Sequence, residues 1–299
     1  MTGSPLSDDL HARLVTAGLD PVAVVALARA TLAEDLALGP DVTTQSTIDP
    51  DTTGEGQLVA RAPGVLAGVA VAASVFEVLA ADTGAGVLVR IELPDGSRVA
   101  SGDVVLRAGG SVRTLLTAER TMLNLVGLLS GVATLTARWV DAIAGTSARV
   151  RDTRKTVPGL RALQKHAVRC GGGVNHRMAL GDAALIKDNH VAAAGGVRAA
   201  YEAVRRHAPD ASVEVEVDTL EQLREAVDAG ATLVLLDNMT PDLMREAVAI
   251  ARPHGVRLEA SGGLTLDGAA EVAGTGVDYL AVGALTHSAP VLDLGFDLG

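Results

Sequence analysis

Apolar positions follow two different periods along the chain, and the change of period divides it into regions. Residues 21–38 repeat apolar positions at helical spacing, with Pro21 in the first turn. From residue 54 to residue 107, short alternating runs predict strands with Asp95-Gly96 as a turn, and VAVAASVFEVLAA between them predicts a helix. We therefore predict a small N-terminal α/β open sandwich.

A long apolar segment, residues 111–145, follows the predicted sandwich. Its apolar residues, including Leu115, Met122 and Leu129, recur at the spacing of one helix face. This pattern predicts a long helix whose apolar residues pack inside the protein.

After residue 148 the pattern becomes regular, and short apolar strands alternate with helical segments. The six predicted strands are ARVRD, AALIK, VEVEV, TLVLLD, VRLEA and DYLAVG. Such alternation predicts parallel strands joined by helical crossovers. We predict a C-terminal α/β barrel with fewer than eight strands, and a doubly wound sheet is the alternative. The predicted limits are residues 1–118 for the sandwich, 119–288 for the barrel, and 289–299 for a tail that returns to the N-terminal domain.

Composition narrows the function classes. The chain has 299 residues, 48% of them hydrophobic, a net charge of −11 and one cysteine, Cys170, which we expect to be a packed side chain. A single cysteine excludes an internal disulfide and fits a cytoplasmic protein. We find no N-terminal signal pattern and no apolar run of membrane length, and the acidic balance argues against nucleic-acid binding.

Cations are concentrated in one stretch of this acidic chain. Residues 149–177 hold eight Lys or Arg and a single acid, Asp152, and all three lysines of the chain, Lys155, Lys165 and Lys187, fall within 33 residues. Lys165 lies mid-helix and has a surface position as its alternative. The stretch has no Phe, Tyr or Trp on which bases could stack, so a pocket for a small polyanion is favoured over a nucleic-acid surface.

Polar residues follow strand after strand of the predicted barrel, where the working site of such barrels lies. In chain order the strand ends carry Thr153, Arg154 and Lys155, then Lys187, then Glu216 between Glu214 and Asp218, then Asp237, then Ser261, Gly262 and Gly263, and finally Val282, Gly283 and Ala284. The last two loops are glycine-containing, and loops at these positions bind phosphate through backbone N–H groups. We expect the cations to converge with His176 and Arg177 at one rim.

The carboxylates Glu216 and Asp237 would weaken simple anion binding, so they need another role. Two roles fit: holding Mg²⁺ together with substrate phosphates, and stabilising positive charge that develops during reaction. A phosphorylated sugar that reacts at its anomeric carbon requires both.

Long motifs in the chain resemble the quinolinate phosphoribosyltransferase family. They include RDTRKTVPGLRALQKHAVRCGGGVNHR, GDAALIKDNH, TAERTMLNLVGLLSG, EVEVDTLEQL and ASGGL, and the likeness covers essentially the whole chain. The resemblance implies a transferase of NAD biosynthesis that joins quinolinate to phosphoribosyl pyrophosphate with Mg²⁺, giving nicotinate mononucleotide, pyrophosphate and CO₂. It also implies a homodimer in which the sandwich of one subunit covers the barrel mouth of the other.

The resemblance assigns roles by matching motif. Arg154, Lys155, His176, Arg177 and Lys187 would line the quinolinate and pyrophosphate pocket, and Arg120 would reach in from the partner subunit. Glu216 and Asp237 would lie under the ribose and the metal, and the Ser261–Gly263 and Val282–Ala284 loops would hold the 5′-phosphate. We take Lys155, Lys187, Glu216 and Asp237 as the catalytic set, and we interpret His166 as structural.

Three other functions stay open at this point. One is a relative of the same fold that acts on another anionic base or does not decarboxylate. Another is a nucleic-acid-binding module, and the last is a ligand sensor without activity.

Overall fold

The computed structural model describes residues 4–299, which divide into two compact units. The first unit contains the described residues up to Leu135, together with Ala162–Gly171 and Ala289–Gly299, and the second contains Thr136–Arg161 and Gly172–Ser288. The predicted boundary between residues 118 and 119 falls inside a continuous helix. The three predicted domain ranges stay predictions.

The first unit holds a small sheet with helices. Its strands are β1 Thr53–Ala60, β2 Gly64–Val65, β3 Val87–Ile91, β4 Arg98–Val99, β5 Val104–Ser111 and β12 Leu294–Leu298, and its helices are α1 Asp8–Thr16, α2 Pro21–Asp35, α3 Val42–Thr47, α4 Val69–Thr83, most of α5 Val112–Ala142 and nearly all of α6 Arg161–Cys170. Four strands form an antiparallel sheet in the order β12-β1-β5-β3, and β2 pairs with β4.

Helix α4 is the centre of this unit because it packs on the sheet and also against α1 and α2. Its residues are almost all apolar and buried, and Phe76 contacts Phe296 of β12 with ring centroids 5.6 Å apart. One layer of sheet covered by helices on one face is the predicted open α/β sandwich. That prediction is confirmed. Helix α2 ends at Asp35, three residues before the end of the predicted segment.

The long apolar segment is the single helix α5, as predicted. By length and composition alone, α5 could cross a membrane, although sequence analysis found no such run, and 67% of its most apolar window is buried inside the fold. Leu115, Met122 and Leu129 are all fully buried or nearly so. The apolar surface of α5 is therefore used in packing.

The second unit alternates strands and helices. Its strands are β6 Arg149–Arg151, β7 Ala184–Ile186, β8 Val213–Val217, β9 Leu233–Asp237, β10 Arg257–Ser261 and β11 Tyr279–Ala281, and its helices are α7 Asp188–Ala194, α8 Val197–His207, α9 Leu220–Asp228, α10 Pro241–Ala251, a 3₁₀ turn Arg252–His254, α11 Ala269–Ala273 and α12 Ala284–His287. All six predicted strands are present. The local signals also hold: Thr240 caps α10 with Pro241 at its first position, and Thr219 and Gln222 form a capping box on α9.

The six strands are parallel and lie in the order β6-β11-β10-β9-β8-β7. Each strand from β7 to β11 neighbours the next one along the chain, and β6 then follows β11, so the order is cyclic with a seam between β6 and β7. A doubly wound sheet would instead reverse its direction at a switch point. The six-stranded unit confirms the prediction of a barrel with fewer than eight strands, and all carboxyl ends lie at one edge.

Candidate active site

A cavity of about 600 Å³ opens among the carboxyl ends of the barrel strands. Its walls carry most of the site residues predicted from sequence, together with five that were not predicted. The lining residues are Thr153, Arg154, Lys155, His176, Arg177, Leu185, Lys187, Glu216, Leu235, Asp237, Asn238, Glu259, Ser261, Gly262, Gly263 and Ala281. The structure therefore places the four cations and His176, which were expected at one rim, in the wall of one cavity, and Glu216 and Asp237 line the same cavity.

The loop after β6 is fixed by hydrogen bonds that position Lys155. The Lys155 N–H donates to Thr153 Oγ1 at 3.0 Å, and the Thr286 hydroxyl donates to the Lys155 carbonyl at 2.8 Å. A side chain at Gly283 would lie 3.0 Å from Lys155 Cδ, so the glycine leaves room for the lysine stem. The Lys155 side chain is exposed, while the N–H and the carbonyl of its backbone are both hydrogen-bonded.

Arg154 and Arg177 each have a buried Nε–H that finds no hydrogen-bond acceptor among residues 4–299. Arg177 does donate through Nη1 to the Ala183 carbonyl at 3.0 Å. Burial, and then the charge of Arg154, lower the pKa of Arg177, against smaller opposite effects of Asp182 and Glu214. A buried donor without an acceptor is costly, and two guanidinium groups repel each other. Both features are relieved by an anion bound between them.

His176 lines the cavity, but both of its ring nitrogens are occupied. The Arg177 N–H donates to Nδ1 at 2.7 Å, and Nε2 lies 2.9 Å from Glu214 Oε2. Since Nδ1 accepts, Nε2 carries a proton and faces the Glu214 carboxylate. The loop is anchored by fully buried Asp152, whose carboxylate accepts from the His176 N–H at 2.8 Å and from the Asn175 side chain at 2.5 Å.

Arg151 and Glu259 belong to the site's surroundings and were missed by sequence analysis. Arg151 Nη1 donates to Glu259 Oε2 at 2.6 Å and lies 3.8 Å from Glu214, and it stacks 4.9 Å from the Tyr279 ring centroid. Burial alone would lower the pKa of Arg151, but the Glu259 and Glu214 charges outweigh it and raise this pKa. A charged residue inside the apolar strand VRLEA was the available signal for Glu259.

Burial raises the pKa of Glu259 to about 7, and the nearby Glu214 carboxylate adds to this effect, while Arg151 and His176 oppose it. Glu259 is fully buried, and one oxygen of each carboxylate, Oε1 in both, has no hydrogen-bond partner among the described residues. If both were ionised, the buried carboxylates Glu214 and Glu259 would carry two negative charges beside the single positive charge of Arg151. We infer that Glu259 holds a proton below about pH 7 and releases it above.

The two predicted metal carboxylates lie at neighbouring strand ends. Lys187 Nζ donates to Glu216 Oε2 at 2.5 Å, and Asp237 Oδ2 accepts from its neighbour Asn238 at 2.8 Å. Glu216 and Asp237 line the same cavity as the phosphate-binding candidates. Mg²⁺ typically binds one or two carboxylates plus substrate phosphates, so this donor set fits the ion.

The first predicted phosphate loop is tightly packed. Gly262 and Gly263 have positive φ angles, of 85° and 60°. A Cβ at Gly262 would lie 2.2 Å from Asn238 Oδ1, and Asn238, which also has a positive φ of 55°, donates its N–H to the Ser261 carbonyl at 2.9 Å. The backbone of the loop after β10, at Gly262, therefore packs against the Asn238 side chain of the loop after β9 at the cavity wall.

The remaining predicted residues lie elsewhere. At the end of β11 the cavity wall is formed by Ala281. Val282 follows and is buried, with its N–H donated to the Arg151 carbonyl at 2.9 Å, while Gly283 precedes α12 and Ala284 is its first residue. Arg120 is an exposed residue of α5 in the first unit. Lys165 is fully buried, which excludes its surface alternative. The roles assigned to all site residues stay predictions.

Known protein families and relatives match most of the chain, including both units of the fold. The family model described as the quinolinate phosphoribosyl transferase N-terminal domain matches residues 41–130, and the model of the C-terminal domain matches residues 132–297. The chain is 56% identical over 274 residues to the nicotinate-nucleotide pyrophosphorylase [carboxylating] of Mycobacterium leprae. The matched region covers 90% of this chain and 95% of that protein. It is 36% identical over 285 residues to the human protein of the same name, covering 94% and 93%.

A solved structure gives the same result for the fold. The crystal structure of NadC from Streptococcus pyogenes matches with a TM-score of 0.88 and 40% identity, over 94% of this chain and 98% of that one. Both family models, close relatives and the fold agree, and the chain therefore belongs to the quinolinate phosphoribosyl transferase family.

Proposed function

We propose that the protein transfers the phosphoribosyl group of phosphoribosyl pyrophosphate to quinolinate and decarboxylates the product to nicotinate mononucleotide. The observation that carries the proposal is the lining of one cavity by four cationic side chains together with two carboxylates. Quinolinate contributes two carboxylates and the cosubstrate contributes three phosphoryl groups, so the ligands together match a strongly cationic wall.

The reaction needs orientation and charge stabilisation more than covalent help from the protein. The pyridine nitrogen attacks the anomeric carbon while the bond to pyrophosphate breaks and its electron pair leaves with pyrophosphate. The ring is then a pyridinium, which accepts the electron pair of the C2–carboxylate bond as CO₂ departs. One proton added to the resulting C2 ylide gives the mononucleotide.

Within this reaction the arginines hold quinolinate. The buried Nε–H groups of Arg154 and Arg177, which have no acceptor among residues 4–299, support this role because a carboxylate accepts from a guanidinium through two parallel hydrogen bonds. A monocarboxylate such as nicotinate would satisfy only part of this donor set. We therefore assign the pair to dicarboxylate recognition.

The lysines and acids act at the sugar and its leaving group. Lys155 and Lys187 are ammonium groups on exposed stems and are placed to neutralise pyrophosphate. Glu216 and Asp237 stabilise the positive charge that develops on an oxocarbenium-like carbon, and the Ser261–Gly263 and Val282–Ala284 loops receive the 5′-phosphate. Glu216 exchanges its contact with Lys187 for a contact with substrate when both ligands are bound.

Mg²⁺ is part of the proposal, held by Glu216 and Asp237 with oxygens of the cosubstrate. When bound, it neutralises negative charge on the pyrophosphate leaving group. The donor set supports this assignment because hard carboxylate oxygens meet cationic phosphate-binding residues in one cavity.

The assembly is proposed as a homodimer in which Arg120 of each chain reaches the partner's cavity. Its support is the exposure of Arg120 on α5. A cytosolic location without nucleic-acid or membrane partners completes the proposal, supported by the acidic net charge and the single cysteine.

The test is a product analysis with purified protein, phosphoribosyl pyrophosphate and Mg²⁺. Quinolinate labelled at its 2-carboxylate should give nicotinate mononucleotide by mass and release the label as CO₂ in equal amount. Nicotinate offered in its place should give no product. Turnover of nicotinate with no turnover of quinolinate would refute the proposal.

A further inference from the structure

Three side chains of metal-binding type meet in the first unit, in residues that the proposed function does not use. Asp95 lies in the turn between β3 and β4, and His166 and Cys170 lie four residues apart on α6, hence on one face of that helix. One ligand atom from each residue lies within 4.8 Å of the other two.

The three ligand atoms converge on one nitrogen. His166 Nε2 lies 2.7 Å from Asp95 Oδ2 and 3.4 Å from Cys170 Sγ. This shared contact differs from a nucleophilic triad, in which the acid and the thiol bind opposite ring nitrogens. Around a tetrahedral zinc ion the S···N edge is about 3.6 Å and the N···O edge about 3.4 Å. The thiol is already at that spacing, and the carboxylate needs to withdraw by well under 1 Å.

The carboxylate is supported from its other side. Asp95 Oδ1 accepts from the Val69 N–H at 2.8 Å, which fixes the orientation of Oδ2 toward the helix. Ligands held in this way by a further hydrogen bond are the rule in metal sites. His166 is 6% exposed, so the imidazole is also held by its surroundings.

Binding of a divalent cation would change the protonation of this cluster and displace one neighbouring contact. Burial, and then the Asp95 carboxylate, raise the pKa of the Cys170 thiol to about 12, so the thiol keeps its proton while no cation is present. Binding would release this proton and move the imidazole proton from Nε2 to Nδ1. Arg169 would then give up its 3.4 Å contact with Nδ1 and keep its 2.7 Å hydrogen bond to the Ala17 carbonyl.

The cluster is reachable from solvent. Asp95 and His166 line a cavity of about 370 Å³ whose other walls include Asp9, Arg13 and Thr16. An entry path and room for a water as fourth ligand are both requirements of a metal site.

We propose that Asp95, His166 and Cys170 bind one divalent transition-metal ion per chain, with zinc the best match to a thiolate, an imidazole and a carboxylate. The site would join α6 to the turn between β3 and β4, and it stands independently of the proposed activity. The hard ion Mg²⁺, which avoids thiolates, would not compete for it.

The test is a Co²⁺ titration of the full-length, chelator-treated protein. Because Cys170 is the one cysteine of the chain, any thiolate-to-cobalt charge-transfer absorption reports on this site. We expect the absorption to saturate at one Co²⁺ per chain, to persist in excess Mg²⁺, and to disappear when zinc is added in equal amount. The melting temperature should rise on adding zinc.

Variants separate this site from others. C170S should lose the absorption, and H166Q and D95N should weaken cobalt binding at least tenfold, as for loss of one ligand. H11Q, at an exposed histidine of α1, and D237N, at the proposed Mg²⁺ site, should keep the absorption unchanged. Circular dichroism and unfolding in chelator should show that C170S is folded.

Two results would overturn the proposal. One is a wild-type protein that shows no charge-transfer absorption at stoichiometric Co²⁺. The other is H166Q and D95N variants that are folded and bind cobalt as tightly as the wild type.

Discussion

Lys187 and Glu216 form an ion pair across the ends of neighbouring parallel strands, with Nζ donating to Oε2 at 2.5 Å. Lys187 follows β7, and Glu216 lies in β8. The lysine side chain is half exposed while the carboxylate is mostly buried, so a ligand that enters the cavity can draw the ammonium away from the acid. The pair thus compensates both charges, and we expect a substrate to replace one of the partners.

Replacing Lys155 by Ala should reduce kcat/KM for phosphoribosyl pyrophosphate about 100-fold or more, because a positioned cation beside a leaving pyrophosphate is removed. Steady-state kinetics gives the size of the effect. R206A, at an exposed cation of α8, is the matched control and should retain activity. Near-native kinetics of a folded K155A protein would contradict the assignment of Lys155.

Replacing Arg177 by Gln should weaken quinolinate binding by about 10- to 100-fold, the loss expected for one charge-assisted contact. Titration calorimetry with quinolinate measures this change. The same variant should discriminate less between quinolinate and nicotinate, because nicotinate has one carboxylate fewer that could contact Arg177. Equal loss of affinity for both compounds would argue against a dicarboxylate site.

Alanine at Gly262 should impair the loop after β10 far more than alanine at Gly263. Both glycines have positive φ. A Cβ at Gly262 would overlap Asn238, whereas a Cβ at Gly263 would meet no atom of the described part of the chain within 4 Å. We expect G262A to lose about 1–3 kcal/mol of unfolding free energy and to raise KM for phosphoribosyl pyrophosphate. Urea unfolding and kinetics on both variants test this, and indistinguishable variants would refute the steric argument.

The stability of the protein should carry a pH-dependent contribution from Glu259. Its pKa is raised from 4.5 to about 7 in the folded state, so the folded protein holds a proton that the unfolded chain has released. This contribution is fully present below pH 4.5 and is lost as the pH rises through about 7.

The variant E259Q removes this titration and should flatten that part of the pH profile, by about 1–3 kcal/mol between mildly acidic and mildly alkaline buffer. Denaturant unfolding of wild type and variant at several pH values isolates the difference. E271Q, at an exposed glutamate of α11, should follow the wild type. A parallel profile for E259Q and wild type would show that Glu259 is ionised throughout.

Mixing two inactive variants tests the shared site. R120A and K155A should each be inactive alone, and equal amounts exchanged into mixed dimers should recover about one quarter of wild-type activity. Half of the dimers are then mixed, and each has one intact site. A mixture of K155A and K187A should recover nothing, because both changes fall in the same barrel. Recovery in that control, or none in the first mixture, would argue against Arg120 crossing between subunits.

Much of the candidate site could be predicted because it depends on the local order of the chain. The carboxyl ends of parallel strands necessarily share one edge, so Lys155, Lys187 and Asp237 had to meet once the strands were recognised. The glycine loop at Gly262 follows another of these strands and was predicted in the same way. The alternation of apolar residues along the chain marks each strand and its end, so these positions can be recognised from the sequence.

What the sequence alone determined is therefore the sandwich, the run of parallel strands and the rim of charges at their ends. Only the tertiary structure decided which charges are buried together. Arg151 reaches Glu259 across the intervening strand β11, and Asp95 meets His166 although 71 residues separate them. The physical reason is that strand register and helix docking, fixed by packing of the entire core, set these long-range distances, and no local pattern records them.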